Sequence, residues 1–502
     1  MDRKHEARRA TREKLSNQTS RKNRKLRSYS GTRKGMTNKA AFSSELNWLL
    51  GDQDIFAAEV FHGNSAWEPL ELVWQAVIWS LQETKHVTDA FDYALTFCEK
   101  LGMKKTTKTY PRFMNALTRY QVLSTRVRSR LQERAEECAG RFWRDNDWTL
   151  FAFDGSRVSV PRTVSNEKAF CAPNFGKGKT AKYRKKLTKG MRRKMNEKAK
   201  AQPQAPQVWI TMVWHMGLRL SWTWRIGPSN SSERGHVEEI LSTEEFPEET
   251  LFCGDAGFVG FPLWCKILSA NADFFIRVGG NVELISVHAD YERLKDGVVL
   301  CWPKDMMRRG VAPLRLRLVK VKIGKTTMWM LTSVLDRKKL SHKQIIRYYK
   351  MRWGIEVEFR GLKQTLGNQK LCCRNSDNVA VELEWSIIGM AVAELLALRR
   401  QIPTGSKSRT DSEYSTTDRS LAKAVRAIRS SMTSPDDIPK QGKSLTDQLA
   451  NALVQRYKNR TDKKARYRPS NPHKKPLKDP SVRKPNADER NRLRELDVKI
   501  AA

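Results

Sequence analysis

The sequence predicts an α/β fold, a β-meander followed by alternating helix and strand, with a helical region ahead of it. Three observations carry this. Trp148 to Phe153 (WTLFAF) and Thr250 to Gly254 (TLFCG) are apolar runs of strand length, each delivering an aspartate into a glycine-containing turn. Val208 to Trp214 and Leu218 to Ile226 are two more such runs around Met216-Gly217, the pattern of a hairpin. Arg347 to Gly367 (RYYKMRWGIEVEFRGLKQTLG) spaces its polar residues at helical intervals.

At 502 residues the chain has room for two or three domains, because single cores rarely grow beyond about 250 to 300 residues. Residues 1–43 read as a basic, disordered arm. Residues 44–147 read as helical, with amphipathic stretches at Leu70–Leu81, Val87–Leu101 and Tyr110–Arg144, and either recognise a partner or scaffold the core. Residues 148–282 form the first part of the core. There the strand 148–153 ends in a turn at Asp154-Gly155-Ser156, and a second strand, Arg157–Val160, is stopped by Pro161. The hairpin follows, then a helix over Arg234–Leu241, the strand into Asp255, a helix at Pro262–Ala270 and a strand at Phe274–Val278.

Residues 283–335 read as a β-rich insertion with strands at Gly297–Trp302, Leu314–Lys322 and Thr327–Thr332, the second alternating as a half-exposed strand does. Residues 336–400 return to the core with the long helix and an apolar one at Val379–Arg399. Residues 401–502 are a basic tail with helical patches at Ser420–Arg429 and Leu445–Tyr457, punctuated by Pro469, Pro472, Pro476, Pro480 and Pro485.

Lys and Arg number 94 against 54 acids, a net charge of +40, which implies a polyanionic partner, nucleic acid first. Residues 1–40, 177–200 and 401–502 carry +11, +11 and +12 of it, so the remainder is close to balance. Phosphate binding driven by counterion release needs no sequence code, and solvated basic segments suit it. The N-terminus lacks an apolar h-region and no run approaches the ~18 apolar residues of a spanning helix, so no membrane is expected and the chain reads as cytoplasmic, nucleoid-associated in a prokaryotic host. The eight cysteines show no zinc spacing and read as reduced thiols. Gly178-Lys179-Thr180 and Gly324-Lys325-Thr326 lack the glycine that a P-loop needs five residues earlier, where Pro173 and Val319 stand, so no nucleotide cofactor is expected.

At about 100° per residue, Tyr349, Arg352, Glu356 and Lys363 fall within roughly one sixth of the helix circumference, a face suited to holding a phosphodiester beside a metal-binding acid. Glu358 points about 180° from Glu356. The plainer reading is a solvated helix with an incidental i,i+4 ion pair. Asp154, Asp255 and Glu356 are separated by equal intervals of 101 residues, so only tertiary folding unites them. Two Asp and one Glu are oxygen donors of the kind a hard divalent cation takes.

These residues resemble a known family. Tyr349, Arg352, Glu356 and Lys363 match the Y-R-E-K signature of the insertion-sequence-four family of DDE transposases, and Asp154-Gly155-Ser156 and Asp255-Ala256-Gly257-Phe258 look like its two aspartate motifs. The resemblance covers about Trp148 to Leu398; Ala256 departs from it, since many relatives have Arg there. It implies a ribonuclease-H-like core, with which the order of meander, helix and strand agrees, and a β-rich insertion before the glutamate helix.

It further implies catalysis by Asp154, Asp255 and Glu356 with two Mg²⁺ ions, replaceable by Mn²⁺. Tyr349, Arg352 and Lys363 would contact phosphates, and Arg277 more weakly. Trp329 stands where some relatives place a tryptophan that stacks on a flipped base, and reads equally as packed in the sheet. The implied activity is cut-and-paste transposition on double-stranded DNA through a hairpin intermediate, by a homodimer on DNA. Two rivals are a related nuclease or host-adopted derivative, and a non-catalytic nucleic-acid scaffold.

Overall fold

In the computed structural model the described residues are 35–51, 67–83, 86–103, 109–171, 205–287, 296–324, 326–402, 415–454 and 477–496, with single positions at 55, 56, 59, 61, 65, 188 and 190. Most of the expected N-terminal arm, all but two positions of the basic segment 177–200, and Pro469, Pro472 and Pro476 lie outside them.

Strands β1 (Thr149–Ser159), β2 (Gln207–His215) and β3 (Leu220–Pro228) form an antiparallel meander. On the other side of β1, β4 (Thr250–Gly254) and β5 (Asp273–Val278) join in parallel. The order 3-2-1-4-5 is that of a ribonuclease-H-like core, within a mixed α/β fold. The sheet then runs on through β9 (Thr326–Thr332), β8 (Leu314–Ile323), β7 (Asp296–Cys301) and β6 (Glu283–Ser286) to β10 (Ser481–Arg483), ten strands in all. At the β8–β9 turn Gly324 takes a φ of +60°, a conformation that glycine adopts without strain.

One expectation fails here. Asp154-Gly155-Ser156 is not a turn between two strands, since β1 runs through it unbroken. Antiparallel β2 matches it in continuous register from Phe151↔His215 to Ser159↔Gln207, and that ladder overrides the turn preference of an Asp-Gly-Ser triplet.

The N-terminal helices are α1 (Asn38–Leu50), α2 (Pro69–Ser80), α3 (Val87–Lys100), α4 (Tyr110–Arg119) and α5 (Val122–Ala139). The single helix expected over Tyr110–Arg144 is thus broken at Tyr120-Gln121, and α5 ends at Gly140, whose φ is +50°. Short α6 (Val164–Phe170) follows β1, and α7 (Glu233–Thr243) and α8 (Phe261–Ser269) follow β3 and β4. Then come α9 (Lys304–Arg308), α10 (His342–Arg360) with a π turn at Gly361–Thr365, α11 (Ser376–Gln401), α12 (Leu421–Thr433), α13 (Leu445–Ala450) and α14 (Ala487–Glu495).

Helix α11 is buried on every side from Trp385 to Leu398, as a helix apolar all round must be, and α2, α4, α5, α12 and α13 pack around it. Fully buried Glu45 of α1 ties on by accepting from Arg399 Nη1 at 2.7 Å and from Arg400. No described helix is long and apolar enough to cross a membrane.

The tail holds more structure than its composition announces. Leu493 of α14 is buried in a small cluster with Ile285, Leu300 and Trp302, and the Lys478 carbonyl accepts from Gly280 N–H at 2.7 Å. Strand β10 pairs in parallel with β6, so residues 477–496 cover the outer edge of the β-rich part.

Helix α10 is fixed at both ends of its first half. Ser341 Oγ accepts from Gln344 N–H at 3.4 Å while Gln344 Oε1 accepts from Ser341 N–H at 2.8 Å, a reciprocal cap. One turn on, buried Tyr348 donates to the Asp145 carbonyl at 3.2 Å, and Arg347 pairs with the Asp145 carboxylate. Gly354 lets the helix settle onto Trp214 of β2. A Cβ there would lie 2.7 Å from Trp214 Cζ3 and 2.9 Å from Arg219 Nη1. Gly354→Ala should therefore lift α10 and cost about 1 to 3 kcal/mol by overpacking. This is measurable as a lower urea midpoint at constant m-value; an unchanged midpoint would mean that Trp214 yields freely.

Candidate active site

Parallel pairing of β1 with β4 runs from Thr149↔Thr250 to Ala152↔Cys253, an offset of 101 residues. The same offset places Asp154 level with Asp255. Asp154 is in mid-strand, not at a strand's end as expected, but β4 has finished beside it and leaves the carboxylate at an open edge. Each aspartate is oriented by its own backbone: Asp154 Oδ1 accepts from Gly155 N–H at 2.9 Å and Asp255 Oδ1 from Gly257 N–H at 2.7 Å.

Side chains alternate across the sheet. Asp154 and its partner Met212 face α10, where Ser221 Oγ touches Met212 and donates to Glu358 at 2.7 Å. Gly155 and its partner Thr211 face α7, where Thr211 Oγ1 meets His236 Nδ1 at 2.9 Å. Glu358 does point away from Glu356, and burial raises its pKa, while Ser221 and Glu394 bond to it.

From α10, Arg352 reaches between two acids: Nη1 lies 3.6 Å from Asp154 Oδ2 and Nη2 lies 3.4 Å from Glu356 Oε1. It is only 8% exposed, its guanidinium sits 5.4 Å from the Tyr349 ring centroid, and its Nε and Nη1 have no hydrogen-bond partner among the described residues. Burial works against its charge, yet Cys253, Tyr349, Asp154 and Asp255 around it leave the pKa raised. Burial raises the Tyr349 pKa, with Arg352 and Arg277 opposing. Lys363 belongs to the π turn, not to a continuous α-helix, and donates to Ser156 Oγ at 2.7 Å; burial lowers its pKa. Asp154, Asp255, Glu356, Tyr349, Arg352, Lys363 and Arg277 are thus gathered on one side of the sheet. Trp329 is not: it pairs with Val278 and Lys320, on the face opposite Arg277, with Lys320 Nζ 5.0 Å from its ring centroid.

Sequence reasoning missed Glu233. The first residue of α7, after a Ser232 cap whose Oγ accepts from Gly235 N–H, it lies over Gly155 and approaches both aspartates. Ser-Glu opening a helix behind the meander was a readable signal of a helix start, but not of that proximity. Burial, then Asp154 and Asp255, push the Glu233 pKa up to about 7, with Arg157 opposing. Burial also pushes Asp154 up to about 6, with Asp255 and Glu356 adding to it and the Gly155 N–H and Arg352 opposing. Negative charge is therefore under-compensated at this edge.

All the donors are carboxylate oxygens, which fits a hard divalent cation in kind. They do not form a closed shell: among the described residues no group of three or more His, Cys, Asp or Glu stands close enough to hold a metal, and Arg352 occupies the gap between Asp154 and Glu356.

A family model described as the transposase DDE domain matches residues 147–391. No curated protein matches the chain. Among solved structures, a piggyBac transposase synaptic complex with hairpin DNA overlays at a TM-score of 0.36 and 12% identity, covering 86% of this chain and 89% of that one, too loosely to carry an argument. Residues 147–391, the stretch similar to that transposase DDE domain, contain every site residue named above.

Proposed function

We propose that this chain is a cut-and-paste DNA transposase of the insertion-sequence-four type, with Asp154, Asp255 and Glu356 as catalytic metal ligands. The observation that supports it most is that Arg352 lies against both Asp154 and Glu356 while β4 ends with Asp255 level with Asp154, inside the stretch that matches the DDE domain. Two Mg²⁺ ions, or Mn²⁺, bound among these carboxylates would supply an activated nucleophile and stabilise the leaving oxygen of an in-line displacement.

The chain's own residues do the rest. Lys363, Arg277 and Tyr349 position phosphates beside the acids, and Arg352 turns from Asp154 and Glu356 to a phosphate oxygen. A water oxygen bonds to phosphorus at the element's end as the P–O3′ bond breaks, and O3′ takes a proton and leaves as a hydroxyl. That hydroxyl then gives up its proton and bonds to phosphorus on the partner strand as the P–O3′ bond there breaks and its O3′ leaves as a hydroxyl, closing a hairpin; water reopens the hairpin, and the freed 3′ hydroxyl displaces O3′ from a target phosphodiester in the same way. Cutting both ends in one assembly calls for two copies on double-stranded DNA, and the basic segments outside the core hold the duplex electrostatically.

Trp329 faces the other side of the sheet, so packing beneath Lys320 suits it better than base stacking. Trp353, 55% exposed and beside Arg352 on α10, is better placed to stack on an unpaired base.

Asp154→Asn, Asp255→Asn and Glu356→Gln should each abolish strand cleavage on end-sequence DNA while leaving binding largely intact. Nicking that persists in one variant removes that residue from the metal site. Arg352→Ala should weaken end binding and reduce the slope of log K against log salt by about 1, as loss of one phosphate contact does; identical salt curves would place Arg352 off the DNA. Trp353→Ala should lose about 1 to 3 kcal/mol of hairpin-complex stability while Trp329→Ala keeps it, and the reverse order would reassign the stacking.

A further inference from the structure

We infer that the C-terminal residues 477–496 help to build the proposed cutting site: they clamp the loop Gly279–Val282, and Asn281 of that loop is a positioning residue for the turn that carries Asp255. This rests on the transposase reading above. The loop leaves β5 just after Arg277 and lies beside the turn that follows β4, so it borders two site residues at once. Asn281 joins them with both ends of its amide. Its Oδ1 accepts from Gly279 N–H at 3.1 Å, and its Nδ2 donates to the Ala256 carbonyl at 3.3 Å, one residue after Asp255. Since Gly257 N–H orients the Asp255 carboxylate at 2.7 Å, a shift of the Ala256 peptide would move the acid and its donor together.

What holds the loop comes from the far end of the chain. Gly280 N–H donates to the Lys478 carbonyl at 2.7 Å and Ser481 N–H to the Val282 carbonyl at 3.2 Å, before β10 continues alongside β6. Both glycines permit this approach: a Cβ on Gly279 would lie 2.7 Å from the Lys478 carbonyl oxygen, and one on Gly280 2.9 Å from Lys478 Cβ. The segment is anchored well beyond the loop. Arg483 pairs with Glu489 at 2.7 Å and with Glu283 at 2.5 Å, Arg492 Nη1 donates to the Met307 carbonyl at 2.8 Å, and Leu493 is fully buried. A tail that only covered a sheet edge could stop at β6. This one reaches past β6 to the loop at the catalytic edge, where a displacement of about 1 Å can cost on the order of a hundredfold in rate.

The test uses the full-length protein and end-sequence DNA with Mg²⁺ or Mn²⁺. Asn281→Ala should lower kcat for strand cleavage about three- to tenfold, as loss of one hydrogen bond does, at unchanged KM and thermal midpoint. Ser481→Pro, which deletes the donor to Val282, should do the same, and the double variant should cleave no more slowly than the slower single, since both act through one loop. Without DNA, amide exchange at Gly257 and Phe258, whose N–H groups donate to Asp255, should quicken about threefold or more in both variants. Parent kcat in both variants overturns the inference, as does parent exchange, and a raised KM at parent kcat would make Asn281 a DNA contact instead. Asp255→Asn separates the two readings. If it is inactive while Asn281→Ala and Ser481→Pro cleave like the parent protein, only the positioning role fails; if it cleaves like the parent, the catalytic assignment of Asp255 fails, and exchange at Gly257 still decides whether the tail holds the turn. Should Ser481→Pro fail to fold, judged by its thermal melt, Gly280→Ala, whose methyl group would press on Lys478, takes its place.

Discussion

The register between two parallel strands determines where the chemistry can be. A slip of one residue between β1 and β4 would turn every side chain of one strand to the other face and put Asp154 and Asp255 on opposite sides of the sheet. The register is held by bulk. Phe151 and Phe153 of β1 pack against Phe252 of β4 at ring distances of 5.9 and 5.7 Å. Phe153 also lies over Gly254, where a Cβ would come 2.6 Å from its Cε2. Aromatic contacts of this kind contribute about 0.5 to 1.5 kcal/mol each beyond area burial, and none survives a slipped ladder. Folding energy far larger than any one carboxylate's interactions thus positions the acids, which is why a site of uncompensated charge can exist at all.

Placing those acids carries an electrostatic cost. Carboxylates withdrawn from water and aimed at one another are each disfavoured in the charged state, and Asp154 and Glu233 both show the upward shift that follows. Arg352 offsets part of this through Asp154 and Glu356. On the proposed function this would be a resting state, with the Arg352 guanidinium between Asp154 and Glu356 until cations and a phosphate arrive.

How much of this was legible depends on the range of the interaction. Tyr349, Arg352 and Glu356 share a face because of local helix geometry, so spacing alone disclosed them. Asp154 and Asp255 were legible as acids beside apolar runs, but the length of β1 was not, because the ladder that carries it through Asp154-Gly155-Ser156 belongs to β2, more than fifty residues away. Glu233 lies against Gly155 from α7, where a Cβ would come 2.7 Å from its Cγ, and no spacing encodes that approach. Lys363 was placed on the right face by an α-helical count although a π turn intervenes, since Gly361–Thr365 lies at the very end of α10 and shifts it little. The C-terminal strand and helix were hidden by composition: one buried Leu493 among charged residues gives almost no amphipathic signal.

Around the acids, each cationic or phenolic group that the proposed function assigns to phosphate already has a partner within the chain: Arg352 has two carboxylates, Lys363 has Ser156, and Tyr349 has Arg277. On the proposed function, DNA entering this edge would exchange pairs instead of meeting bare charges, which would lower net affinity but favour a ligand able to satisfy all of them at once. A phosphate without a metal would meet Asp154, Asp255, Glu233 and Glu356 as like charges and be repelled. A metal without a phosphate would leave Arg352 to be displaced from its carboxylates while Nε and Nη1 still lack acceptors. The two binding events therefore assist each other through one side chain, and the position of Arg352 between the acids is the feature that couples them.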